Sequence, residues 1–252
     1  MNDPKEKKEE ADLDATRMPL WEHLDELRTA LIRVIVVLSV ITLVTYNFAD
    51  KILHVLEMPI LAALPKDHQK LYFTGVTDKF MVYLKASIYA AIFISAPYLL
   101  WELWNFISPG LYKKERKMIV PFVFAGSFFF VLGGVFAYYL VLPQAYLFLV
   151  NYGSSAEIPL ITLGEYFKLT LQLILLMGVV FELPVVLMLL ARFGIVNSSL
   201  LKKVRPHAYV ALSVLAAVIT PTPDSFTMIL VLAPLCILYE VSYLLVRFSS
   251  GK

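Results

Sequence analysis

The stretch MIVPFVFAGSFFFVLGGVFAYYLVL, residues 118–142, contains no Asp, Glu, Lys or Arg. Wound as a helix at ~1.5 Å per residue it reaches about 37 Å, more than the ~30 Å hydrocarbon core of a bilayer. An uncharged run of that length predicts a membrane span. Working outward, comparable runs lie at 31–48, at 80–106 with Lys85, Pro97 and Glu102 inside it, and at 167–193 with Glu182 and Pro184 inside it. Two more are shorter. The run 208–219 is boxed between Pro206 and Pro221, and 226–248 is apolar without interruption only to Leu238, before Glu240. A helix of about fourteen residues covers only ~21 Å, so this pair is read as short spans where the bilayer thins, or as buried or re-entrant segments.

The expectation is an all-α, polytopic membrane protein with about six transmembrane helices, the two C-terminal ones short. Its organisation reads as a cytoplasmic N-terminal segment with an interfacial amphipathic helix (1–30), a transmembrane domain (31–248) and a short cytoplasmic tail (249–252). Composition agrees: 59% hydrophobic and 17% charged residues across 252 are too apolar for an ordinary soluble domain. Cys236 is the sole cysteine and lies in an apolar run, which excludes an intrachain disulfide and a thiolate metal cluster. Residues 1–17 mix Lys and Glu without an apolar core, so they do not read as a cleaved signal peptide.

Basic residues in short loops set sidedness. Lys113, Lys114, Arg116 and Lys117 lie between the second and third runs, and Lys202, Lys203 and Arg205 between the fourth and fifth. These loops are predicted to be cytoplasmic, whereas 143–165 has neither Lys nor Arg and is predicted to face outward. Both termini then fall on the cytoplasmic side. The first outer loop, 49–78, carries apolar residues at Ile52, Leu53, Leu56 and Ile60, which predicts a short cap helix on the membrane surface, stopped by Pro59 and Pro65. No internal repeat supports an inverted-repeat transporter.

No phosphate-binding loop, HExxH or nucleophile motif is present, and the four histidines are scattered, so neither catalysis nor a metal or cofactor is expected. Four places carry polar chemistry instead. In Leu20-Trp21-Glu22-His23-Leu24-Asp25-Glu26-Leu27-Arg28, Glu22 and Glu26 share one helix face at the cytoplasmic surface. In the loop around Tyr112, Glu115 stands among four bases, Arg116 included. Two carboxylates on separate segments suit two guanidinium groups, which favour bidentate, charge-assisted hydrogen bonds; a solvated helix and a local ion pair are the plainer readings. Glu182 lies near the middle of the fourth run, where a carboxyl costs about 2.5–3.5 kcal/mol to insert, and Pro184 frees the Val180 carbonyl beside it. It is expected to face a cavity, a partner helix or a proton path, or else to glue helices together. In Thr220-Pro221-Thr222-Pro223-Asp224, the outer turn, Asp224 is placed to cap the last helix. Glu240 is expected to snorkel or to pair with Arg247.

The ordered set of strings resembles the TatC family, the multispanning receptor of the twin-arginine protein translocase. It comprises His23-Leu24-Asp25-Glu26-Leu27-Arg28, Phe106-Ile107-Ser108-Pro109-Gly110-Leu111-Tyr112 with Glu115-Arg116, Phe181-Glu182-Leu183-Pro184, Gly194-Ile195-Val196, Lys203-Val204-Arg205-Pro206, residues 220–224, and Pro234 with Leu238-Tyr239-Glu240. The resemblance implies a concave, glove-like bundle in a bacterial-type cytoplasmic membrane. It implies binding of twin-arginine signal peptides and proton-gradient-driven export of folded proteins, in an oligomeric complex with single-span TatA- and TatB-type subunits and with no nucleic acid. Glu26 and Glu115 take the arginine-binding role, with Glu22, Arg28, Tyr112 and Arg116 as the supporting surface. Glu182, Pro184 and Thr220 become the intramembrane partner site. Met228 stands where the family often has Gln, which departs from a polar outer cluster with Thr220. The rival reading is a proton-coupled solute transporter with Glu182 as its proton site.

Overall fold

The computed structural model describes residues 20–65, 70–107, 119–153, 160–222 and 224–249. Helices account for nearly all of them: α1 (Leu20–Tyr46), α2 (Ala49–Ala63), α3 (Asp78–Ile107), α4 (Ile119–Phe136), a π-helical segment (Ala137–Val141), α5 (Leu142–Asn151), α6 (Leu163–Val180), α7 (Leu183–Arg192), α8 (Ser198–Ile219) and α9 (Ser225–Ser249). Five stretches are long and apolar enough to cross a membrane: Leu24–Tyr46, Asp78–Phe106, Val120–Asn151, Leu163–Arg192 and Ser225–Phe248. α8, the expected fifth span, is not among them, because Lys202, Lys203 and Arg205 occupy its first half.

The apolar periods place the helices, but the prolines mark their ends poorly. The third span runs past Leu142 to Asn151. Pro143 would clash in a continuous α-helix and cannot donate to the carbonyl four residues back; here the π segment precedes it, and the Leu142 amide bonds instead to Ala137 O. α2 likewise passes through Pro59 to Ala63. The carbonyl that Pro59 leaves without a donor is that of Val55, and the Tyr138 hydroxyl donates to it at 2.7 Å. α8 begins at Asn197, whose side chain accepts from the Leu200 amide, and runs through Pro206 for 22 residues. α9 is one helix of 25 residues past Glu240. The two C-terminal helices are therefore not short as helices; only the apolar part of α8 is.

α3 lies centrally, packing against α1, α2, α4 and α6, while α9 packs on α7 and α8. The main core is built from Phe167, Leu171 and Met177 of α6, Ala137 and Val141 of the π segment, Leu142 and Tyr146 of α5, Leu212 and Ala216 of α8, and Val231 and Leu235 of α9. α4 and α6 approach closely at Gly133 and Gly178, where a Cβ on Gly133 would overlap the Met177 carbonyl. Gly194, at φ +70°, lets the chain leave α7 in the left-handed region, with the Ile195 amide closing back on Leu190 O at 3.0 Å.

Hydrogen bonds fix which ends lie together. At the end where α1 finishes, Tyr72 and Thr162 form a parallel bridge, with the Tyr72 amide on Ile161 O at 3.0 Å. At that same end Tyr83 donates to Asp50 at 2.5 Å, Tyr166 donates to Leu56 O, and Tyr146 and Thr170 share a hydrogen bond of 2.6 Å. At the opposite end, where α1 begins, Tyr239 donates to Leu201 O at 2.7 Å and joins α8 to α9.

Candidate functional site

α1 continues without a break across residue 30, so Glu26 stands on the first turns of a helix that becomes a membrane span. Glu26 is half-buried and Arg28 exposed. Glu22 lies on the same helix backbone, and its side chain is outside the described residues, as are Tyr112, Glu115 and Arg116 entirely. The 108–118 segment that carries Glu115 connects the end of α3 to the start of α4.

Two turns beyond Glu26, Arg33 donates through Nη2 to Glu102 Oε2 of α3 at 2.9 Å, and Tyr98 donates to Glu102 Oε1 at 2.9 Å. The Glu102 side chain is 8% exposed, that of Arg33 51%. Sequence reasoning treated Glu102 only as an interruption of its span and passed over Arg33. The available signal was one charge of each sign in consecutive apolar runs, at similar depth from the same end.

Glu182 sits where α6 stops and α7 starts. The Phe181 amide still reaches Met177 O, at 3.0 Å, but Pro184, fully buried in the first turn of α7, has no amide to continue the ladder. The carboxyl lies over Gly126 of α4: a Cβ there would stand 3.1 Å from Oε2. Oε1 is buried without a hydrogen-bond partner among the described residues. Beside it an apolar groove of about 350 Å³ is lined by Pro121, Phe122, Phe129, Pro184, Val185 and Met188.

Thr220 is not joined to Glu182 by a hydrogen bond; its hydroxyl donates to Ala216 O of its own helix at 3.0 Å. Thr222 of the turn before α9 and Thr227 in the first turn of α9 are buried, and Met228 packs against the main core. Asp224 Oδ2 accepts from the Thr227 amide at 2.6 Å, which is an N-cap on α9. Burial pushes the Asp224 carboxyl up, but the Thr227 amide and the nearby Thr222 and Thr227 hydroxyls outweigh it and hold the pKa below the usual range. Glu240 does not pair with Arg247. It accepts from Arg205 at 2.8 Å and from Tyr209 at 2.5 Å, because α8 begins beside the end of α9 and brings Arg205 within reach.

A nearly all-helical chain with five stretches able to cross a bilayer and acidic side chains set at helix ends and breaks defines a multi-pass membrane protein. The family model of the Sec-independent protein translocase protein TatC matches residues 22–234, and the chain belongs to that family. A TatC from Carboxydothermus hydrogenoformans is 38% identical over 93% of this chain and 95% of its own length. The Escherichia coli TatC is 35% identical over 93% of this chain and 90% of its own. Crystal structures of the twin-arginine translocase receptor TatC superpose with TM-scores of 0.73 and, in the detergent DDM, 0.75, both at 31% identity, covering 90% and 89% of this chain and 99% of theirs. The relatives are named as components of a protein translocase, a role in transport and not in catalysis.

Proposed function

We propose that this chain is the receptor of a twin-arginine export system in a bacterial-type cytoplasmic membrane, with both termini inside, and that Glu26 and Glu115 grip the two arginines of a signal peptide. The observation that carries the reading is topological: α1 packs along α3, and the segment bearing Glu115 departs from the end of α3 that lies beside the start of α1. The basic residues flanking Glu115, with Lys202, Lys203 and Arg205 at the same end, support a cytoplasmic assignment for it. Adjacent arginines on an extended peptide diverge, so carboxylates on two segments fit them better than two on one helix. Pull-down with a twin-arginine signal peptide and its twin-lysine control tests this. Glu26→Ala and Glu115→Ala are each expected to weaken capture of the first, and undiminished capture by both variants would end the assignment.

Glu182 is proposed as the intramembrane contact for single-span TatA- and TatB-type subunits in an oligomeric complex. Its support is the buried Oε1 without a partner beside an apolar groove. Glu182→Gln, which keeps a hydrogen-bonding group, is expected to retain more co-purifying partner than Glu182→Ala. Normal assembly and export by both would remove the role. The same lone oxygen is what favours the rival proton-site reading. Transport of a small solute by proteoliposomes holding this chain alone would establish that rival instead.

A further inference from the structure

α1 is held unlike any other span. Its apolar stretch is the least buried of the five, with Ala30 and Thr45 the only buried side chains among its described residues, and no α1 residue belongs to either apolar core cluster. Its principal neighbour is α3. On α3 the stripe Ser87, Ala91, Ser95, Tyr98 and Glu102 repeats at three and four residues, and its first three members are small and buried, the composition that lets membrane helices approach closely. Both ends of that stripe are fastened to α1. At one end the Thr45 hydroxyl donates to Ser87 O at 2.9 Å; at the other Arg33 holds Glu102. The pins are about 20 Å apart along the helices. The Arg33 pin lies two turns from Glu26 and five residues from the end of α3.

We propose that the Arg33–Glu102–Tyr98 contact is a positioning clamp, which sets the start of α1, and with it Glu26, against the end of α3 from which the Glu115 segment departs. It rests on the arginine-binding reading above. Arg33, Glu102 and Tyr98 are positioning residues: the clamp acts through the placement of Glu26 against the end of α3 and therefore governs discrimination between guanidinium and ammonium pairs more than the bare capacity to bind a basic peptide.

The test measures the affinity of the detergent-purified full chain for a twin-arginine signal peptide and for its twin-lysine counterpart. In R33Q and in E102Q the twin-arginine affinity is expected to fall about tenfold, within the usual range for coupling between sites, while the weak twin-lysine binding stays put, so that the ratio collapses. The double variant R33Q/E102Q should be no worse than either single one, and R33K should restore most of the ratio. A purely structural role would lower the yield of folded protein and leave the ratio unchanged. If R33Q fails to accumulate, Y98F, which removes only the second hydrogen bond to Glu102, shows a smaller fall of the same kind. An unchanged ratio in E102Q and Y98F, alongside lost capture in Glu26→Ala and Glu115→Ala, overturns the clamp and leaves the receptor reading standing. Undiminished capture in those two variants brings both down.

Discussion

The seams α1–α3 and α8–α9 carry the same three-residue device at the same end of the molecule. In each an arginine Nη2 meets a glutamate Oε2, and a tyrosine hydroxyl meets the other carboxylate oxygen: Arg33–Glu102–Tyr98 and Arg205–Glu240–Tyr209. The surroundings differ. Around the second, Leu201, Leu212, Ala216, Val231, Leu235 and Leu238 are buried, Arg205 stacks over Tyr243 at 5.0 Å, and arginine and glutamate are each 34% exposed. Around the first, the glutamate is buried, while the helix that supplies the arginine packs chiefly on α3 and contributes nothing to the apolar core clusters. The same polar contact is therefore expected to weigh more where its carboxylate is buried and its helix packs chiefly on one neighbour than where several core side chains surround it.

The two arginines are expected to differ most. Arg33→Ala leaves a buried carboxylate with only Tyr98 and should cost about 3–5 kcal/mol, whereas Arg205→Ala leaves one that solvent already reaches and should cost about 1 kcal/mol or less. Thermal unfolding in detergent measures both, and equal losses would show that apolar packing does not set the weight of the device. Next comes a seam built with no polar contact of this kind. Gly133→Ala drives a methyl against the Met177 carbonyl, and overpacking there should cost about 1–3 kcal/mol, read in the same melt. A loss under half a kcal/mol would mean that α4 and α6 can part without penalty.

At the far end of the α8–α9 seam the contact is a helix cap. Asp224→Ala removes the α9 cap and should cost about 1 kcal/mol. Because the folded carboxyl titrates below its ordinary value, its contribution is complete above the unfolded pKa of about 3.9 and fades as pH falls through the lower folded one. The difference in melting temperature between wild type and Asp224→Ala should therefore shrink on acidification; a constant difference would refute the cap's charge dependence. Smallest are Tyr98→Phe and Tyr209→Phe, each about 0.5–1.5 kcal/mol for one hydrogen bond, with Tyr98 expected to be the costlier. The reverse order in the melts would contradict the ranking of the seams.

How much of this was legible depended on whether the information was local. Apolar run length located the spans because a bilayer demands it, and the cap helix of 49–63 showed in its apolar spacing. The ends were misjudged at Pro59, Pro143 and Pro206, since a proline need not stop a helix where another donor or a local π turn accommodates it. The donor at Val55 is Tyr138, 83 residues away, and no local pattern could reveal it. The site divides similarly. Glu26 and Glu182 were conspicuous as charges against an apolar background, and Asp224 as a cap signal. Glu102 was equally conspicuous, but its meaning lay in Arg33 on another helix, and the partner of Glu240 was misread because Arg247 is near in sequence and Arg205 near in space.

The tyrosines at the end where α1 finishes stitch α2, α3, the π segment, α5 and α6 to one another, while the Tyr72–Thr162 bridge ties the connection before α3 to the one before α6. The end that holds Glu26 is joined instead by the two arginine clasps and the Tyr239–Leu201 bond, contacts between pairs of helices only. Backbone amide exchange should run faster in the first turns of α1 and the last of α3 than anywhere along that stitched edge.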